Sequence, residues 1–213
     1  MLKRVIGYYE SWSTDRGCDS WRPDDIAANS LTHINWAFAL FEPTTDDGWG
    51  LVFTQDDEDD IGSLISEFIS LKDTNPGLSC FLSIGGWSFN DGDTATYWSD
   101  MASTASGRLS WSKDVLQNLE LYGFDGVDLD WEYPVASDRG GSDKDKDNYV
   151  LLIRQLRDTL DASGTAYGIS FTIPSSYWYL QNFNVVDMIN VAGADWINIM
   201  TYDLHGTWDG TDP

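Results

Sequence analysis

Residues 124–134 read Phe-Asp-Gly-Val-Asp-Leu-Asp-Trp-Glu-Tyr-Pro, FDGVDLDWEYP. In an extended strand successive side chains point to opposite faces. Asp128, Asp130 and Glu132 therefore share one face, with Val127, Leu129 and Trp131 on the other. An ordinary core does not accept a row of carboxylates, because each buried charge costs several kcal/mol unless it is paired or protonated. The pattern fits the inner face of a barrel, with the acids climbing towards an open mouth. Carboxylates this close cannot all ionise cheaply, so at least one is expected to hold its proton near neutral pH. A general acid needs that property. A calcium site or a solvated acidic strand is the competing reading. The nearby run Asp143, Asp145, Asp147 does not fit an EF-hand, since the sixth position is Asn148 instead of Gly and the twelfth is Arg154 instead of Glu.

Outward from the ladder, short apolar runs alternate with longer amphipathic ones, the signature of βα units and a parallel sheet. Strands are expected at 4–10, 32–41, 79–84, along the ladder, at 167–173 and at 195–202. Between them, Ile61, Leu64, Ile65, Phe68 and Ile69 fall at helical spacing within 57–72, and Asn75-Pro76-Gly77 stops that helix. Further helices are expected at 108–122 with Gly123 as its cap, at 147–162 with a stripe of Val150, Leu151, Ile153 and Leu156, and at 185–192. Pro23-Asp24-Asp25 opens a short one. The acidic segment 42–56 reads as a surface loop. With no repeat or low-complexity linker, residues 1–213 are expected to form one domain. An eight-stranded α/β barrel takes about 250 residues, and the final TWDGTDP is loop-like. The expected fold is a TIM-type (β/α)8 barrel of which about six βα units are present. A doubly wound sheet would bury the ladder under helices.

Thirty-five acidic residues against 12 basic ones give a net charge of −23, which excludes nucleic acid as a partner and disfavours an anionic membrane surface. No apolar leader or membrane-spanning run is visible, and no Asn-x-Ser/Thr sequon occurs. Cys18 and Cys80 fall at opposite ends of the expected sheet, so a disulfide between them is not expected. No metal and no cofactor is expected.

In such barrels the active site lies at the C-terminal ends of the strands. There the sequence places Tyr8-Tyr9-Glu10-Ser11-Trp12, Phe38, Ser83, Gly85-Gly86-Trp87, the ladder, and Met200-Thr201-Tyr202-Asp203. Rings and carboxylates converging on one mouth point to a carbohydrate cleft. SIGGW at 83–87, DGVDLDWE at 125–132 and MTYD at 200–203, in that order, resemble the glycoside hydrolase family 18 chitinases. DWEYP and its following loop resemble the secreted fungal-type members.

The resemblance implies a role for each matching position. Glu132 protonates the glycosidic oxygen, Asp130 orients the N–H of the sugar's 2-acetamido group, and Asp128 shares a proton with Asp130. The acetamido oxygen attacks the anomeric carbon in place of a protein nucleophile, and Tyr202 hydrogen-bonds that oxygen. Asp203 contacts the sugar, while Tyr8, Phe38, Gly86, Trp87 and Met200 line the cleft. Ser83 supports the inner acid or only the core; Asp125 supports the site or only caps the strand entrance. The resemblance also implies a Trp on an eighth strand and sugar contacts after the sixth, and the chain is expected to stop short of both. The implied activity is that of a retaining, endo-acting chitinase on β-1,4-linked N-acetylglucosamine, extracellular and monomeric, with chitin or chito-oligosaccharides as partner. The alternatives are a non-catalytic chitin-binding lectin, an inactive chitinase fragment, and an endo-β-N-acetylglucosaminidase.

Overall fold

The ladder strand sits near the middle of a curled parallel sheet. The structure, a computed structural model, describes residues 3–53, 58–207 and 210. Its strands are β1 (Ile6–Glu10), β2 (His33–Pro43), β3 (Trp49–Phe53), β4 (Ser79–Gly85), β5 (Gly126–Asp130), β6 (Gly168–Pro174) and β7 (Trp196–Met200). All but β3 lie side by side in chain order and parallel, and β3 pairs antiparallel with the outer half of β2. Helices α1 (Glu58–Ile69) and α2 (Leu71–Thr74) precede β4, and α3 (Tyr97–Ser103) and α4 (Ala105–Tyr122) precede β5. Helix α5 (Asp145–Ala162) precedes β6, and α6 (Tyr177–Leu180) and α7 (Val185–Asn190) precede β7. The curl is deep: across the interior the Asn198 amide of β7 donates to the Tyr8 hydroxyl of β1 at 3.1 Å, and both bond to Asp128 of β5.

Alternation along β5 produces two different surfaces. Val127, Leu129 and Trp131 point outward and are buried against the helices. There Trp131 stacks on Trp98 of α3 with centroids 5.4 Å apart and planes 9° apart, and packs on Tyr149 of α5 at 5.0 Å. Phe41 of β2 continues this aromatic layer, 4.8 Å from Trp98 and 4.8 Å from Phe89. Rings of this size bury more area than any aliphatic side chain, so this layer is the main apolar adhesive between sheet and helices. The opposite, inward surface is polar at the mouth and closed at the floor, where His33 packs edge to face on Phe81 and on Trp196, and those two rings meet at a tilt.

The expected elements form, with four corrections. The segment 42–56 is not simply a loop: Trp49–Phe53 is a strand, held by β2 on one side and by α4 on the other. Its Leu51 N–H donates to the Asp114 carboxylate at 2.6 Å and its Trp49 N–H to the Ser110 hydroxyl at 3.2 Å. Residues 54–57 lie outside the described residues. The single helix expected over 57–72 is two, with a break at Ser70. A further helix, α3, precedes the one expected at 108–122, whose N-terminus is capped by the Thr104 hydroxyl accepting from Gly107 N–H at 2.9 Å. On α5 the buried stripe is Tyr149, Leu152, Ile153, Leu156 and Leu160, and Leu151 is 49 % exposed. Cys18 is exposed, Cys80 is buried, and both are free. No helix among the described residues is long and apolar enough to cross a membrane.

Candidate active site

The site is assembled on the inner face of β5 from the bottom upward. Asp128 is fully buried, and four strands send donors to it. Its Oδ2 accepts from the Tyr8 hydroxyl of β1 and the Ser83 hydroxyl of β4, each at 2.9 Å. Its Oδ1 accepts from Ser170 of β6 at 2.6 Å and from Asn198 of β7 at 3.0 Å. Parallel register accounts for two of these, since Ser83 and Ser170 are the ladder partners of Asp128 on either side. Two positions higher, Asp130 accepts from the Thr172 hydroxyl of β6, and its backbone carbonyl accepts from Gly86 N–H at 2.9 Å. Glu132 lies just beyond the strand. Its N–H donates to Asn90 Oδ1 at 3.2 Å and its carbonyl accepts from Arg139 Nε at 3.1 Å. The Tyr133 hydroxyl bonds its carboxylate.

The electrostatics follow from this stacking. Burial first, and then the charges of Glu132 and Asp128, hold the Asp130 carboxyl well above the usual carboxylate range, against the opposing Thr172 hydrogen bond. Burial also raises Glu132, aided by the charge of Asp203 and opposed by the Tyr133 hydroxyl and the Arg139 guanidinium. Two neighbouring acids are thus biased towards their protonated forms at the place where the interior opens.

That opening is a cleft of about 1350 Å³. Phe38, Gly86, Trp87, Met200, Tyr202 and Asp203, all expected there, line it together with Asp130 and Glu132. Tyr8 reaches the site through its bond to Asp128, and Ser83 supports the inner acid. Asp125 is not brought to the site. At the opposite end of β5 it accepts from Cys80 N–H at 2.7 Å and pairs with Lys72 at 2.7 Å, so it ties the strand entrance. Gly85 and Gly86 permit the turn that opens the mouth. Their φ values are +111° and +90°, and an added Cβ would lie 2.3 Å from the Asp130 carbonyl oxygen and 2.8 Å from the Phe38 ring respectively.

Sequence reasoning missed Ser170, Thr172 and Asn198, although a period-2 placement of polar residues in GISFTIP and WINIM marks them as inward-facing. It also missed Asn90, Tyr133 and Arg139, which act from loops. Trp12 stacks on Phe38 at 6.1 Å and extends the cleft wall. Among the described residues no three His, Cys, Asp or Glu are grouped to hold a metal ion. The arrangement offers a proton donor at the mouth, a second carboxyl behind it, and aromatic faces of the kind that stack on sugars.

The family model for Glycosyl hydrolases family 18 matches residues 4–213. Chitinase A1 of Niallia circulans is 34 % identical over 250 residues, covering 96 % of this chain and 34 % of that protein. The endochitinase of Manduca sexta is 31 % identical over 210 residues, covering 97 % of this chain and 36 % of its own length. Among solved structures, catalytic domain 2 of the Ostrinia furnacalis group II chitinase superposes with a TM-score of 0.82 at 30 % identity, over 97 % of this chain and 52 % of that one. A mutant of the same domain, solved in complex with penta-N-acetylchitooctaose, gives the same values. The chain thus spans about a third of the length of these curated relatives and about half of the solved domain. Its curled parallel sheet matches the TIM-type fold of those enzymes.

Proposed function

The chain belongs to glycosyl hydrolases family 18, and from that premise we propose that residues 1–213 are part of one catalytic domain that hydrolyses β-1,4-linked N-acetylglucosamine polymers with retention. The observation that carries this reading is the position of Glu132: at the outer end of the ladder, 7 % exposed, biased towards its protonated form, and lining the same cleft as Trp87.

In the proposed reaction, a sugar stacked in the cleft presents its glycosidic oxygen to Glu132, which donates its proton as the C–O bond breaks. The oxygen of the sugar's own acetamido group forms the new bond to the anomeric carbon, giving an oxazolinium ion. Family 18 enzymes are known exceptions to the scheme with a carboxylate nucleophile. Attack within one molecule gains from high effective molarity. Asp130 accepts the acetamido N–H and so orients the attacking oxygen, and Asp128 behind it shares a proton. Tyr202 donates to the acetamido oxygen and Asp203 contacts the sugar. Water, deprotonated by Glu132, then opens the ion from the opposite side, so that two inversions give net retention. An endo mode is supported by two ring pairs in the cleft lining, Trp12 with Phe38 and Trp87 with Tyr133, across which a polymer can lie. The partner is chitin or a chito-oligosaccharide, and the working context is extracellular and monomeric.

The test compares a chito-oligosaccharide with a high-mannose glycoprotein as substrates, with Glu132→Gln alongside. Product from the oligosaccharide, lost in the variant, supports the reading. Release from the glycoprotein alone makes the chain an endo-β-N-acetylglucosaminidase. Binding without turnover in the wild type makes it a lectin or an inactive fragment.

A further inference from the structure

Arg139 takes no part in the proton transfers above, yet it is 5 % exposed and lies against both the acid and an aromatic wall of the cleft. A guanidinium so buried needs partners for its donors. Its Nε donates to the Glu132 carbonyl at 3.1 Å, its Nη1 to the Asp91 carboxylate and its Nη2 to the Trp87 carbonyl. Its plane covers one face of the Trp87 indole, with the central carbon 3.6 Å from the ring centroid. Asn90 completes the link: its Oδ1 accepts from Glu132 N–H at 3.2 Å and its Nδ2 donates to the Arg139 carbonyl at 3.5 Å. The turn after β4 and the loop after β5 are therefore joined through one side chain. Trp87 remains 49 % exposed, so the face not covered by the guanidinium is free for a ligand.

We propose that Arg139 is a positioning residue: it locks the Trp87 platform and Glu132 in one register, so that a sugar stacked on Trp87 presents its leaving oxygen to the Glu132 carboxyl. This rests on the chitinase reading of the cleft. A planar fork that stacks on an indole and donates in three directions is a task that lysine cannot perform. The charge is a second, separable contribution. Glu132 is faced by Asp130 from β5, by its neighbour Tyr133, by Tyr202 and Asp203 beyond β7, and by Arg139, which supplies the positive charge.

The experiment uses Arg139→Lys and Arg139→Gln, with Asp91→Asn, at a carboxylate more than half exposed, as a variant that keeps the buried arginine. Two readouts are followed: kinetics on a chito-oligosaccharide, and the titration midpoint of the Glu132 carboxyl by 13C NMR. Lysine keeps the charge but loses the fork, so kcat is expected to fall about tenfold with the midpoint near wild type. Glutamine is expected to lower kcat similarly and also to move the midpoint, and the alkaline limb of kcat/KM, to higher pH. Asp91→Asn is expected to lower kcat by a few fold; if Arg139→Gln does not fold, this variant and the lysine one decide. A wild-type kcat in both the lysine and Asp91 variants, or an unmoved midpoint in a folded glutamine variant, overturns the proposal. Failure of the wild-type chain to bind or cleave the oligosaccharide overturns the chitinase reading instead, and the NMR midpoint separates the two failures.

Discussion

Replacing Trp131 with alanine tests whether the outer aromatic layer holds the acid ladder in place. Trp131 is 1 % exposed, stacks on Trp98 at 5.4 Å and packs on Tyr149 at 5.0 Å. Truncating a buried Trp or Phe to Ala costs about 3–5 kcal/mol through lost transfer energy and the cavity left behind. The Trp131 indole N–H is buried without a partner, so its removal returns about 1 kcal/mol of desolvation cost. The net expectation is a loss of about 3 kcal/mol, or roughly 6–12 °C in Tm for a domain of this size. Trp178→Ala is the matched control: its indole is 71 % exposed, and such a change stays within about 0.5 kcal/mol. Urea and thermal denaturation of both variants measure the difference. Because Trp131 sits between Asp130 and Glu132, turnover should also fall about 100-fold at temperatures where the variant remains folded, the cost of a misplacement of about 1 Å. A loss below about 1 kcal/mol, or equal losses in the two variants, would refute the view that the outer layer supports the inner one.

Asp130→Asn should change the pH dependence of stability. Because the folded carboxyl is raised, the native protein keeps a proton that the unfolded chain has lost, so wild-type stability falls as pH rises from about 4 towards the folded value. The amide removes that decline, and melting curves at pH 8 should place the variant above wild type; identical curves at every pH contradict this. Tyr202→Phe removes a hydroxyl assigned to the acetamido oxygen, so kcat should fall about 100-fold. Tyr202 is 63 % exposed, so its Tm should not move, and a shifted Tm would reassign it to a structural role. Native thiol labelling should modify Cys18 and spare Cys80, whose thiol is buried and pushed up to about 12; equal labelling would show that β4 opens readily.

The ladder was legible because alternation is a local property: with period 2, Asp128, Asp130 and Glu132 must share a face wherever the strand goes. The six parallel strands were legible because short apolar runs set between longer amphipathic ones are also a local signal, and the grouping of Phe38, Trp87 and Tyr202 followed from their places at strand ends. Strand β3 was missed because its surroundings are acidic and its N–H groups are met by Ser110 and Asp114 of α4, far away in sequence. A signal was present in Asp47-Gly48, a turn pair between apolar runs, with Asp47 at φ +60°. The Leu151 error is one of phase, since Leu151 and Leu152 are adjacent and only packing against the sheet decides which faces inward. Arg139 gave no sequence signal at all. A lone arginine in a polar loop reads as solvated, and its burial depends on the pairing of β4 with β5, which brings Trp87 and Glu132 within its reach.

In the proposed reaction Glu132 drives an acetamido-assisted, retaining hydrolysis. Proton NMR of the first product released from a chito-oligosaccharide by this chain, with Glu132→Gln in parallel, tests it most directly. The β-anomer is expected first, with turnover lost in the variant. The α-anomer first, or turnover that survives the substitution, would contradict it.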